Sequence, residues 1–144
     1  MRSLPTGICG KQKITDMTSI QDQLDELINF PHINEGNLNK LQKSTAGNPQ
    51  LLKEIFQSFI DESRELIVEI KTGIEKNDHA LYYNAVHSLK GLSATIGCTR
   101  MFYLLKIMDS LNKENQYTES QKCYKHLEVA FSEAETLIKE TILN

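Results

Sequence analysis

The sequence predicts an all-α protein: an up-down-up-down antiparallel four-helix bundle with one or two short N-terminal helices. Three observations carry the prediction. Apolar residues recur at helical spacing through four successive long stretches. No stretch alternates with period two for long enough to be a strand. No proline follows Pro49, which leaves the rest of the chain free to build long helices. Amphipathic helices joined by short turns pack antiparallel, and a bundle hides all four stripes in one core.

Residues 1–17 mix Pro, Gly, Ser, Thr and Lys without periodicity and read as a flexible tail or linker ahead of a domain at 18–144. Thr18 or Ser19 is placed to cap a short helix over 19–29, whose Ile20, Leu24, Leu27 and Ile28 share a face; Pro31 ends it. A second short helix is predicted over 35–43, with Leu38 and Leu41 inward. Gly47-Asn48-Pro49 then restarts the chain, with Asn48 as N-cap and Pro49 at the first helical position. The longest helix covers 49–75, with Leu52, Ile55, Phe56, Phe59, Ser63, Leu66, Ile67, Ile70 and Ile74 on its stripe.

Asn77-Asp78 closes that helix and caps the next, over 78–96, which Gly97 terminates. The helix over 98–113 turns Met101, Leu104, Leu105, Met108 and Leu111 inward. After a polar turn at 112–117, Thr118-Glu119-Ser120-Gln121 has the capping-box form for a last helix over 118–142. Its inward side carries Leu127, Ala130, Phe131, Ala134, Leu137, Ile138 and Thr141.

A chain of 144 residues is long enough for one domain with a real core. Its 40% hydrophobic and 24% charged residues are ordinary for a soluble globular protein. A net charge of −3, with no block of Lys or Arg, argues against a nucleic-acid surface. No apolar run approaches a membrane span, and the first residues hold no signal-peptide stretch, so a cytoplasmic protein without membrane insertion is expected. Cys9, Cys98 and Cys123 show no CxxC spacing and read as free thiols of a reducing compartment.

His87 is the residue that packing does not account for. On a helix through 81–96, at 100° per residue, Tyr82, Ala85, Leu89, Leu92 and Ile96 fall within about 40° of the pole opposite to it. Around it lie Ala80, Tyr83, Asn84, Lys90, Gly91 and Ala94, mostly small or polar. A neutral imidazole nitrogen is a nucleophile, and a lysine one turn on shares its face, an arrangement built for chemistry or docking rather than packing. A mid-helix glycine costs roughly 1 kcal/mol relative to alanine, so Gly91, about 40° from His87, reads as clearance for a partner.

Ser93 falls between core and surface, placed to bond the carbonyl one turn earlier. His32, His79 and His126 lack matching surroundings and read as exposed or turn residues. The residues three before the four histidines are Asn29, Lys76, Asn84 and Cys123, so the Glu-x-x-His pairs of di-iron bundles are absent. Cys123-x-x-His126 offers only two ligands, and no metal site is expected. Without a glycine-rich phosphate loop, no ATP site or kinase activity of its own is expected either.

The run Val86-His87-Ser88-Leu89-Lys90-Gly91-Leu92-Ser93-Ala94-Thr95-Ile96-Gly97-Cys98 resembles the signature of histidine-containing phosphotransfer (HPt) domains, approximately H-x-L-K-G-x-S-x-x-[IL]-G. The likeness continues through Met101, Leu105 and Met108 to Asp109, where the family usually has glutamate. Upstream, Gly47-Asn48-Pro49-Gln50-Leu51-Leu52, then Phe56, Phe59 and Ile60, resembles the family's first bundle helix, so the likeness covers about 33–142.

The resemblance implies a phosphorelay intermediate that accepts a phosphoryl group from a receiver-domain aspartate and passes it to another. By position, His87 matches the phosphoacceptor, Lys90 the lysine that stabilises phosphoryl charge, and Gly91 the neighbouring glycine. Ser93 and Gly97 match positions that support the helix and its end. Gly91, Asn84, Tyr83 and Ala94 form the expected docking surface for a receiver. No cofactor is expected on this chain, Mg²⁺ belonging to the partner receiver.

A hybrid sensor histidine kinase is a further expected partner, whether the chain is free-standing or one domain of such a kinase. A monomer is expected. Leu92 and Leu105 depart from the small residues common in the family and are expected to face the core. The competing reading is a non-catalytic helical adaptor that binds receiver-like partners, against which the intact His-Lys-Gly set argues.

Overall fold

The first four helices start on side chains that take over free amides of the first turn. In the computed structural model, which describes residues 19–112 and 117–144, Ser19 Oγ accepts the Asp22 N–H at 3.1 Å and opens α1 (Ile20–Glu26). Asn34 Oδ1 accepts the Asn37 N–H at 2.9 Å and opens α2 (Glu35–Ser44). Asn48 Oδ1 accepts from both Gln50 and Leu51, ahead of the long α3 (Pro49–Glu75). Asp78 caps α4 (His79–Ile96) through the Leu81 N–H. Then follow α5 (Thr99–Asn112) and α6 (Tyr117–Ile138). The tail expected at 1–17, with Cys9, lies outside the described residues, as do Thr18 and most of the turn expected at 112–117.

The long helices pack in cyclic order, α3 on α4, α4 on α5, α5 on α6, and α6 back on α3. Their stripes meet in a core in which Phe56, Ile60, Ile70, Leu89, Met101, Leu104, Leu105, Met108, Leu127 and Ile138 are fully buried. Each large apolar side chain so removed from water contributes about 1.5–3 kcal/mol. Tyr82 fits this core because its hydroxyl donates to the Met108 carbonyl at 2.8 Å. Gly73 lets α3 close on α4: a Cβ there would stand 2.8 Å from the Tyr82 backbone nitrogen. Of the two short helices, α1 lies against α5 and α6, and α2 against α3 and α4. Leu105 is buried and Leu92 half-buried.

Four expectations are corrected. Ile28 is 76% exposed, because the chain leaves α1 in a 3₁₀ turn (Leu27–Asn29) that swings it away from Leu24 and Leu27. α6 begins at Tyr117, so Thr118 lies within the helix and is not its cap. The α-helix stops at Ile138 and widens into a π-helical turn, Lys139–Leu143. That turn leaves Thr141 exposed and brings Ile142 and Leu143 against the core.

Candidate functional site

α4 divides its residues by side. Tyr82, Ala85, Val86, Leu89, Ser93 and Ile96 are buried, whereas Tyr83, Asn84, His87, Gly91 and Ala94 are exposed. His87 therefore projects from the bundle. One turn before it, the Tyr83 ring lies nearly parallel to the imidazole, with centroids 5.7 Å apart and planes at 17°. One turn after it, a Cβ built on Gly91 would meet nothing within 4 Å. Helix packing does not explain that glycine.

Lys90 is tied down. Its Nζ donates to Asp109 Oδ2 at 3.2 Å, bridging α4 to α5, with the two side chains 22% and 20% exposed. Asp109 Oδ1 is buried without a hydrogen-bond partner, so the carboxylate is only half satisfied. The sequence marked Asp109 only as a departure from glutamate far along the chain from His87. The contact between α4 and α5 is what brings it beside Lys90.

Ser93 departs from expectation. It is fully buried, and its Oγ has no hydrogen-bond partner, so it does not bond back to the preceding turn. Its backbone does the supporting: the Ser93 carbonyl accepts the N–H groups of Gly97 at 2.9 Å and Cys98 at 2.8 Å. Gly97 takes φ 89°, the left-handed conformation that ends a helix at little cost for glycine. Its carbonyl accepts the Asn34 N–H at 2.8 Å, and Asn37 Nδ2 donates to Thr95 O at 2.9 Å. α2 thus locks the end of the helix that bears His87. A recess of about 370 Å³ between α2, α4 and α5, lined by Asn37, Lys40, Ala94 and Tyr103 among others, adjoins that end.

The other histidines lie apart. His32, expected at the surface or in a turn, is largely covered: its Nε2 is 3.1 Å from Arg100 Nη1 and 3.2 Å from Glu133 Oε1. Burial first, and then the Arg100 charge, hold it below the usual imidazole value, against an opposing pull from Glu133. Arg100 also donates to the carbonyls of Phe30 at 2.8 Å and Ile28 at 3.3 Å, fastening the segment after α1 to α5. His79 is exposed, and His126 is half-buried.

Cys98 and Cys123 are buried free thiols, each pushed up to about 12 by burial, which suppresses thiolate chemistry. Among the described residues no three His, Cys, Asp or Glu side chains group to hold a metal ion. Nor is any helix there long and apolar enough to cross a membrane.

A protein-family model described as the Hpt domain matches residues 54–139. Among solved structures the chain is similar to the crystal structure of histidine-containing phosphotransfer protein B (HptB) from Pseudomonas aeruginosa PAO1. That match has a TM-score of 0.69 at 21% identity and covers 76% of this chain and 93% of that one. At this identity the likeness speaks for the fold. No curated protein matches the chain.

Proposed function

The chain belongs to the Hpt domain family, and from that premise we propose that it is a phosphorelay intermediate. His87 takes a phosphoryl group from the aspartate of one receiver domain and passes it to the aspartate of another. One observation carries the assignment to His87: its imidazole is exposed on the side of α4 away from the core, with empty space over Gly91 one turn on.

In the forward step a ring nitrogen directs its lone pair at phosphorus, and an N–P bond forms. The O–P bond of the receiver's acyl phosphate breaks, its electrons leaving on the carboxylate. Passing the group on is the reverse reaction with a second receiver. The phosphoryl group moves through a loose transition state with charge spread over its oxygens, so the acceptor gains from a nearby fixed cation. Lys90 supplies it. Asp109 holds that ammonium on the α4 side of α5, and the incoming phosphoryl oxygens compete with one half-satisfied carboxylate for it.

Tyr83, Asn84, Gly91 and Ala94 make up the docking strip, and Mg²⁺ arrives with the receiver. A cytoplasmic monomer, fed by a hybrid sensor histidine kinase, fits this reading.

The test mixes the chain with an excess of receiver phosphorylated on aspartate. The expected product carries an acid-labile, alkali-stable phosphate. His87→Gln should abolish the label without changing the helical circular dichroism, and Lys90→Ala should slow its appearance by roughly tenfold or more. Label persisting on the His87→Gln protein refutes the assignment. An unlabelled wild type returns the chain to the class of binding modules.

A further inference from the structure

The imidazole of His87 has different neighbours on its two sides along the helix. Toward the N-terminus it meets the Tyr83 ring, in the separation range of favourable aromatic pairs. Toward the C-terminus Gly91 offers no side chain, and the place a Cβ would take there is open. Among the described residues the His87 ring takes part in no hydrogen bond or ion pair, so the stack is the contact that orders it. Tyr83 is itself 39% exposed, and its ring meets both the imidazole and solvent.

We propose that Tyr83 is a positioning residue for phosphoryl transfer at His87. It orders the imidazole by stacking on one face of the ring and stabilises the positive charge that the ring gains during transfer. The inference rests on His87 being the phosphoacceptor. As the attacking nitrogen gives its lone pair to phosphorus, the ring still carries the proton on its other nitrogen and becomes positive. The acyl phosphate's O–P bond breaks meanwhile, and the carboxylate leaves with the electron pair. An aromatic face attracts a cation stacked on it. Lys90, by contrast, serves the oxygens of the moving group, so the two side chains act on opposite charges of one transition state. Stacking needs the ring and not the hydroxyl, which makes phenylalanine the conservative substitute.

Two phosphoryl donors separate positioning from docking: an aspartyl-phosphorylated receiver, and phosphoramidate, a small donor that presents no protein surface. With phosphoramidate its P–N bond breaks and ammonia leaves. Tyr83→Leu should be phosphorylated roughly two- to fivefold more slowly by phosphoramidate, the size expected of an exposed cation–π contact, and at least as much more slowly by the receiver, which also docks on Tyr83. With phosphoramidate, Tyr83→Phe should stay within about twofold of wild type, since the ring is kept. Proton NMR of the unphosphorylated chain reads the stack directly: the His87 ring protons should move downfield in Tyr83→Leu and stay in place in Tyr83→Phe.

A Tyr83→Leu protein that matches wild type with both donors overturns the proposal. So does one slowed only with the receiver, which would leave Tyr83 a docking contact alone. A wild type labelled by neither donor refutes the phosphoacceptor reading itself, and this inference with it, a result distinct from the other two.

Discussion

A glycine and a histidine stand on the outer face of α4, and another of each lies in a packed seam. A Cβ on Gly91 would enter open space, whereas a Cβ on Gly73 would stand 2.8 Å from the Tyr82 nitrogen and 2.9 Å from its Cα. His87 is exposed, whereas His32 is held between Arg100 and Glu133. In the seams, neighbouring backbone and charge dictate the residue. On the outer face nothing in the chain does. Gly91 weakens its helix with no compensating contact, so its cause is sought outside the chain, in whatever approaches His87.

The sharpest way to break this contrast is to put alanine at both glycines. Gly73→Ala forces a methyl against backbone atoms that cannot rotate away, so α3 and α4 must separate. Overpacking of this kind costs about 1–3 kcal/mol and should lower the urea midpoint without changing the slope. Gly91→Ala should act in the opposite direction. It removes a helix penalty of roughly 1 kcal/mol and should raise the midpoint, while slowing transfer from a receiver but not from phosphoramidate. Equal destabilisation by both substitutions would show that Gly91, too, serves internal packing.

The same contrast explains what the sequence could reveal. The bundle was legible because each stripe is written within one helix, and the caps at Ser19, Asn48, Asp78 and Gly97 because cap chemistry acts over two to four residues. The exposure of His87 followed from a single helical angle. Gly73 was not legible, since the atoms that require it belong to Tyr82 on the next helix. The pairing of Lys90 with Asp109 is likewise a property of two helices together. Ser93 looked able to bond back along its own helix, but it faces the core beside Leu89 and Ile96 and is left unpartnered there. The turns at Leu27–Asn29 and Lys139–Leu143 change backbone geometry without a composition signal, which misdirected Ile28 and Thr141. His32 does lie in the bend ahead of α2, but its cover was not legible, because Arg100 and Glu133 reach it only through the fold.

His32 gives the smallest effect and a pH signature to go with it. In the folded chain its proton affinity is lowered from the ordinary value of 6.5, chiefly by burial. The unfolded chain recovers that ordinary value, so at pH above 6.5 the ring is neutral in both states and costs nothing. As pH falls below that point the unfolded state takes up the proton first, and stability declines until the lowered folded value is passed. A single group limits the slope to about 1.4 kcal/mol per pH unit. Urea unfolding of wild type and His32→Gln from neutral pH into mild acid should therefore show the wild-type advantage shrinking with acidification. Transfer at His87 should be unchanged in that variant. Parallel stability curves would mean that the ring's burial against Arg100 leaves no mark on proton binding, and the histidine in the seam would then be no more constrained than the one on the open face.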